Sequence, residues 1–147
     1  MTRSGTTAHR KSAIRSGARW LLGLLYGAAG YLHLATPDPF VRITPEWVLA
    51  PDQVVAITGI AELLGGAALI QPWHVALRKA AGWGLAFYAL CVWPANFEHM
   101  AIDMARDDHG LGLGYHIPRL LIQPLIIWLA LWTGEVTEWP LARREKL

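Results

Sequence analysis

Residues 117–134 read IPRLLIQPLIIWLALWTG. Apart from Arg119 and Gln123 near its start, the stretch holds almost nothing that seeks water. Its apolar side chains would surround a helix rather than form one stripe, so that helix must be buried or membrane-embedded. Its length approaches the ~20 residues, at 1.5 Å each, that cross a hydrocarbon core about 30 Å thick. Three further stretches share this character, at about 17–35, 53–71 and 80–97, the first containing GLLYGAAGYLHLA. The pattern predicts an all-α integral membrane protein, a four-transmembrane-helix bundle forming one domain over 17–135. A water-soluble bundle would need polar helix faces that these segments lack. A chain of 147 residues with 54% hydrophobic content fits one such domain and is richer in apolar residues than an ordinary soluble chain.

The loop charges then choose an orientation. Arg3, Arg10, Lys11, Arg15 and Arg19 precede or open the first stretch. Arg78 and Lys79 lie in the second connection, and Arg143, Arg144 and Lys146 in the C-terminal tail. In the first and third connections Arg42 and Arg106 are outweighed by Asp38, Glu46, Asp52, Glu98, Asp103, Asp107 and Asp108. Basic loops stay on the cytoplasmic side, so both termini are expected inside. The basic ends, a disordered cytoplasmic tail over 1–16 and a basic cytoplasmic tail over 136–147, then meet an anionic leaflet that favours each Lys or Arg by about 1 kcal/mol. Anchoring accounts for these charges without nucleic acid. The N-terminal pattern also resembles a signal peptide, with small residues at Ala28-Ala29-Gly30, but the apolar run continues to a spanning length, so an uncleaved first helix is expected. Cys91 is the single cysteine; it excludes an intramolecular disulfide and a C-x-x-C exchange centre.

Proline and tryptophan punctuate the connections. Thr44 suits an N-cap with Pro45 at the first helical position, so 45–50 reads as a short interfacial turn carrying Trp47. The third helix is expected to end near Pro94-Ala95-Asn96. The Gly-rich GLGLGY at 110–115 suits a lid or a solvent loop, and Pro124 must interrupt the ladder of the last helix. Gly59, Gly65 and Gly66 would let a neighbouring helix approach closely.

Chemistry should reside in the few polar groups a bilayer rejects, which face the bundle interior and find partners. Glu62 lies about nine residues, roughly 14 Å, below the outer end of its helix. His33 and Asn96 lie near the outer ends of the first and third helices, and Arg119 and Gln123 share one face of the fourth at i, i+4 spacing. Each helix thus contributes a polar group to the outer half: His33, Glu62, Asn96 and the Arg119/Gln123 pair are the candidate ligand-binding residues, with Glu62 as the floor of an outward pocket. The same groups can equally be hydrogen-bonding glue between helices. His99, His109 and His116, with Glu98, Asp103, Asp107 and Asp108, have no recognised metal-ligand spacing, so no metal is assigned; the His99/Asp103 pair is i, i+4 only if that segment is helical.

These residues, in the segments LLGLLYGAAGYLHLATPDPFVRITPEW, ITGIAELLGGAALIQP, WPANFEHM and IPRLLIQPLIIWLALW, resemble the DoxX-like family of small four-helix bacterial membrane proteins. The resemblance covers roughly 19–132 and implies a multi-pass protein of the bacterial cytoplasmic (inner) membrane. It also implies kinship with the small membrane subunit of a thiosulfate:quinone oxidoreductase, other relatives serving redox-enzyme maturation or oxidative-stress complexes.

Two functions are therefore expected. The first is a quinone-interacting accessory subunit of a membrane oxidoreductase system. Arg119, Gln123, His33 and Asn96 would meet the quinone carbonyls, Trp93 or Tyr31 would flank the ring, and His33 or Glu62 would supply protons. Electrons would have to come from an oxidoreductase partner subunit, since the chain carries no redox centre. The second is a non-catalytic membrane scaffold or assembly factor for an exported partner, or a small-molecule carrier, the latter needing access from both sides and favoured by a homo-oligomer.

Overall fold

The computed structural model describes residues 3–139, with side chains from Ser12 onward. The second basic tail from residue 140, with Arg143, Arg144 and Lys146, and the side chains of Arg3, Arg10 and Lys11 lie outside the described residues. All regular structure among the described residues is helical: α1 (Arg3–Ala35), α2 (Asp38–Arg42), α3 (Pro51–Ile70), α4 (Val75–Met104) and α5 (Leu113–Thr133). By length and composition α3, α4 and α5 can each cross a membrane. α1 is not among them. It is long enough, but Arg19 and His33 dilute the hydropathy of its apolar stretch.

Several boundaries depart from the sequence expectation. α1 already runs from Arg3, so the segment expected as a disordered tail is helical; Ala8, Arg10, Lys11, Ala13 and Arg15 favour helix, and no proline interrupts it. α4 does not stop at Pro94 but continues to Met104. The missing N–H orphans only the Leu90 carbonyl, and neighbouring helices commonly re-satisfy such groups in apolar surroundings. α5 starts inside the Gly-rich segment, because Gly112 adopts φ 69° and its carbonyl accepts the N–H groups of Tyr115 and His116. Residues 45–50 form a non-helical turn, so Thr44, expected to cap it, caps no helix. Its hydroxyl donates to the Phe40 carbonyl at 2.9 Å, and Ala50, at φ 53°, occupies the N-cap position.

The four long helices run antiparallel to their neighbours in a ring ordered α1–α3–α4–α5, with α1/α3 the most extensive interface and α1/α5 the slightest. The α1/α3 interface is built on glycine. A Cβ on Gly30 would stand 2.6 Å from the Gly59 carbonyl oxygen, and one on Gly66 2.7 Å from that of Gly23. Only hydrogen at these positions lets the two backbones touch. Gly65 faces the other way, against Leu85 of α4. Leu22, Tyr26, Leu69, Ala81, Leu85, Ala86 and Ala130 fill the ring at the level nearer Ile70 and Thr133.

The perimeter is apolar. Leu21, Leu24, Ile57, Leu64, Trp83, Phe87 and Leu121 are all exposed, far more contiguous hydrocarbon than a soluble monomer presents. In a lipid surround that exposure costs nothing. The bundle is then held by close packing and interhelical hydrogen bonds, because burial from lipid gives no hydrophobic gain.

At the Thr133 end, Arg19 donates to the Thr133 carbonyl at 3.0 Å and pairs with Glu135 at 2.6 Å, while Arg15 pairs with Glu138 at 2.6 Å. Arg78, expected in a loop, is instead buried in the first turn of α4, 3.2 Å from Glu135 and donating to the carbonyls of Gln71 and Pro72. These contacts fasten α1, α4 and the end of α5 together.

Candidate functional site

Where α1 ends and α3 begins, the ring encloses a cavity of about 430 Å³. His33, Glu62, Asn96, Arg119 and Gln123 all line it, so the polar groups of four helices converge on one space. Apart from Thr44 and Thr58 the remainder of the wall is apolar or aromatic, and the segment 40–48 contributes Phe40, Pro45 and Trp47 to it.

The close approach at Gly30 and Gly59 sets up one side. Gly59 lies against the His33 Cβ, and Gly30 against the Glu62 Cβ, so the two side chains leave the seam together. His33 Nδ1 stands 3.0 Å from Glu62 Oε2 and 2.8 Å from the Ala29 carbonyl oxygen. The one nitrogen is well placed toward the carbonyl, and the buried Glu62 Oε2 is left without a hydrogen-bond donor. Phe40 stacks on the imidazole, centroids 3.8 Å apart. Tyr88 comes within interaction range of both Glu62 and Thr58, and its ring meets that of Tyr26 edge-on at 6.2 Å.

The opposite side is held by α4 and α5. Gln123 donates to the Ala89 carbonyl and accepts from the Asn96 amide at 3.4 Å. Ala89 sits in the α4 turn that Pro94 disturbs, and this side-chain amide bridges the two helices there. Arg119 reaches away from the cavity floor: its Nη1 is 2.7 Å from His99 Nδ1, and its guanidinium lies over the Tyr115 ring at 5.7 Å. No carboxylate pairs with Arg119 among the described residues, so its charge is open to an acceptor in the cavity.

Behind Arg119 lies a second polar group. His99, Asp103 and His116 bring one ligand-type atom each within 4.8 Å of one another. Their bonding nevertheless suits a carboxylate collecting N–H donors better than a cation. Guanidinium can only donate, so His99 Nδ1 accepts, which leaves the proton on Nε2 facing Asp103 Oδ2 at 3.7 Å. The same oxygen receives His116 Nε2 at 2.9 Å and the Leu111 N–H at 2.9 Å. His109, at φ 55°, and Glu98, Asp107 and Asp108 take no part in this group. Instead Asp108 is clamped by Arg106 at 2.9 and 3.0 Å, which together with the Gly110 N–H holds its carboxyl below the ordinary value.

Two expectations about the wall need correction. Neither Trp93 nor Tyr31 lines the cavity; the aromatic residues that do are Tyr26, Phe40, Trp47 and Tyr88. Tyr88 and Thr58 were missed because an isolated Tyr or Thr inside an apolar run reads as packing. The i+4 spacing of Thr58 to Glu62 was the available signal.

A family model described as Domain of unknown function (DUF8561) matches residues 22–134, which includes the whole wall of the cavity. No curated protein and no solved structure matches the chain.

Proposed function

For a chain that belongs to the family described as Domain of unknown function (DUF8561), we propose quinone binding in the cavity, as an accessory subunit of a membrane oxidoreductase system. The observation that carries this reading is the wall itself: His33, Glu62, Asn96, Arg119 and Gln123 from four helices, with Thr44 and Thr58, around about 430 Å³ of otherwise apolar and aromatic space. That volume falls within the few hundred Å³ usual for small-molecule sites. A quinone is an apolar ring with two carbonyl acceptors. Arg119, unpaired with any described carboxylate, meets one oxygen. The His33–Glu62 pair stands ready to exchange a proton at the other, and Tyr88 or Phe40 stacks along the ring. Electrons come from a partner subunit.

The same proposal places the protein in a bacterial cytoplasmic membrane with α1, α3, α4 and α5 all spanning and both termini inside, in keeping with the DoxX-like resemblance. The test is solvent extraction and chromatography of mildly purified protein, wild type beside Arg119→Ala. Near-stoichiometric quinone, lost in a variant that stays folded, is the expected result.

One observation favours the scaffold reading. Gln123, Asn96 and the Ala89 carbonyl already satisfy one another between α4 and α5, as helix glue would. Quinone absent from both proteins, with phospholipid retained, would decide for an assembly role toward an exported partner.

A further inference from the structure

We propose that His99 is a positioning residue: neutral, it holds Arg119 at the rim of the cavity, and protonated, it releases the guanidinium to the ligand, so that binding takes up a proton. The proposal rests on the ligand-binding reading of the cavity and adds its regulation.

The contact between the two residues exists in one protonation state only. A guanidinium donates and never accepts, so Arg119 Nη1 can stand 2.7 Å from His99 Nδ1 only while that nitrogen keeps its lone pair. A proton there sets donor against donor and cation against cation, and the contact opens. The Tyr115 face, 5.7 Å from the guanidinium, attracts Arg119 in either state. His99 therefore supplies the part of the hold that a proton removes. Arg119 is itself part of the cavity wall, so the freed guanidinium has an acceptor-seeking site beside it.

The imidazolium, in turn, has a counter-ion at hand. Asp103 Oδ2 lies 3.7 Å from His99 Nε2. An ionised carboxylate offers about four acceptor sites, and on Asp103 they are shared so far by His116 Nε2 and the Leu111 N–H. The groups that face His99 are Arg119, His116 and Tyr115 from α5 and Asp103 from its own helix; no charge on α3 acts on it among the described residues. A second proton on His116 would have to sit on Nδ1, which is buried and has no acceptor. His99 is the more open of the two, its side chain 21% exposed below the exposed segment 105–111, and it is the imidazole that a proton from water reaches.

The test follows both partners by NMR in full-length protein labelled with 15N-arginine and 15N-histidine in detergent. The Arg119 signal is assigned by its loss in Arg119→Lys and the His99 signal by its loss in His99→Gln. Between about pH 5 and 8, where imidazoles change charge, the two signals are expected to move with one midpoint. The Arg119 step is expected to vanish in His99→Gln and to persist in His109→Gln. Calorimetric titration with decylubiquinone is expected to show affinity falling by up to about tenfold per pH unit as pH rises through that midpoint, the limit for one linked proton, and His99→Gln to lose this fall. An Arg119 signal that ignores the titration of His99 overturns the release, as does an Arg119 step that survives in His99→Gln. The same pH dependence of decylubiquinone affinity in wild type and His99→Gln overturns the coupling to binding. A shared midpoint with no decylubiquinone bound by the wild type at any pH upholds the release and sinks the quinone reading instead.

Discussion

His33 and Glu62 show how much a single pair decides. Glu62 is 4% exposed, in a place where an unpartnered carboxylate is expensive, and its neighbours are the His33 imidazole at 3.0 Å and Tyr88. Glu62→Ala removes the acid and leaves the polar His33 and Tyr88 side chains beside an empty space, a loss of about 1–3 kcal/mol for buried polar groups deprived of a partner. A lower unfolding midpoint in detergent is expected; an unchanged midpoint would show that Glu62 binds nothing within the fold. That His33, Asn96, Arg119 and Gln123 would share the outer half of the bundle, above a deeper Glu62, was readable from the helix rise and from the bilayer's rejection of polar groups. What each touches was not readable. Whether Arg119 answers a carboxylate or the His99 imidazole depends on helix rotation, and a periodic apolar run with no polar face leaves rotation undefined. The pairing of Asp103 with His116 was not readable for another reason: α4 was expected to end near Pro94, which put both in a loop instead of on facing helix ends.

At the level of elements, the α1/α3 seam is the part on which the cavity depends. Gly59 and Gly66 could be picked out in α3 as contact points, but their counterparts Gly30 and Gly23 in α1 could not be paired with them without the fold. Gly30→Ala would drive a methyl to 2.6 Å from the Gly59 carbonyl oxygen and 3.0 Å from the Glu62 Cβ. The backbone oxygen cannot swing aside as a side chain would, so the helices must part, at about 1–3 kcal/mol for overpacking. Gly27→Ala, on the same helix with nothing within 4 Å of the new methyl, isolates the effect. It should be neutral or stabilising by up to about 1 kcal/mol, since Ala favours helix over Gly. Thermal unfolding of both variants in one detergent makes the comparison. Equal behaviour would mean that the seam is looser than its glycines suggest.

For the whole molecule, the question is whether α1 crosses the membrane with the other three. Hydropathy alone leaves it out, because Arg19 and His33 weigh against its leucines, yet its contacts tie it to the bundle from Arg15 to His33. Gly23 and Gly30 touch α3, and Arg15 and Arg19 reach Glu138 and Glu135 beyond the end of α5. A helix lying flat on the surface would have to give up the glycine seam and leave Glu62 without His33. If α1 spans, the start of its apolar stretch and the end of α5 lie on one side, the side of Arg15, Arg19, Arg78 and Lys79, which the charge rule assigns to the cytoplasm. Alkaline phosphatase, active only after export, should then be silent when fused at the C-terminus and active when inserted in the loop at Asp107. Activity at the C-terminus would invert the bundle. A silent C-terminal fusion, combined with an N-terminal tag cleaved by protease added to intact spheroplasts, would leave three spans and remove α1 from the wall of the cavity.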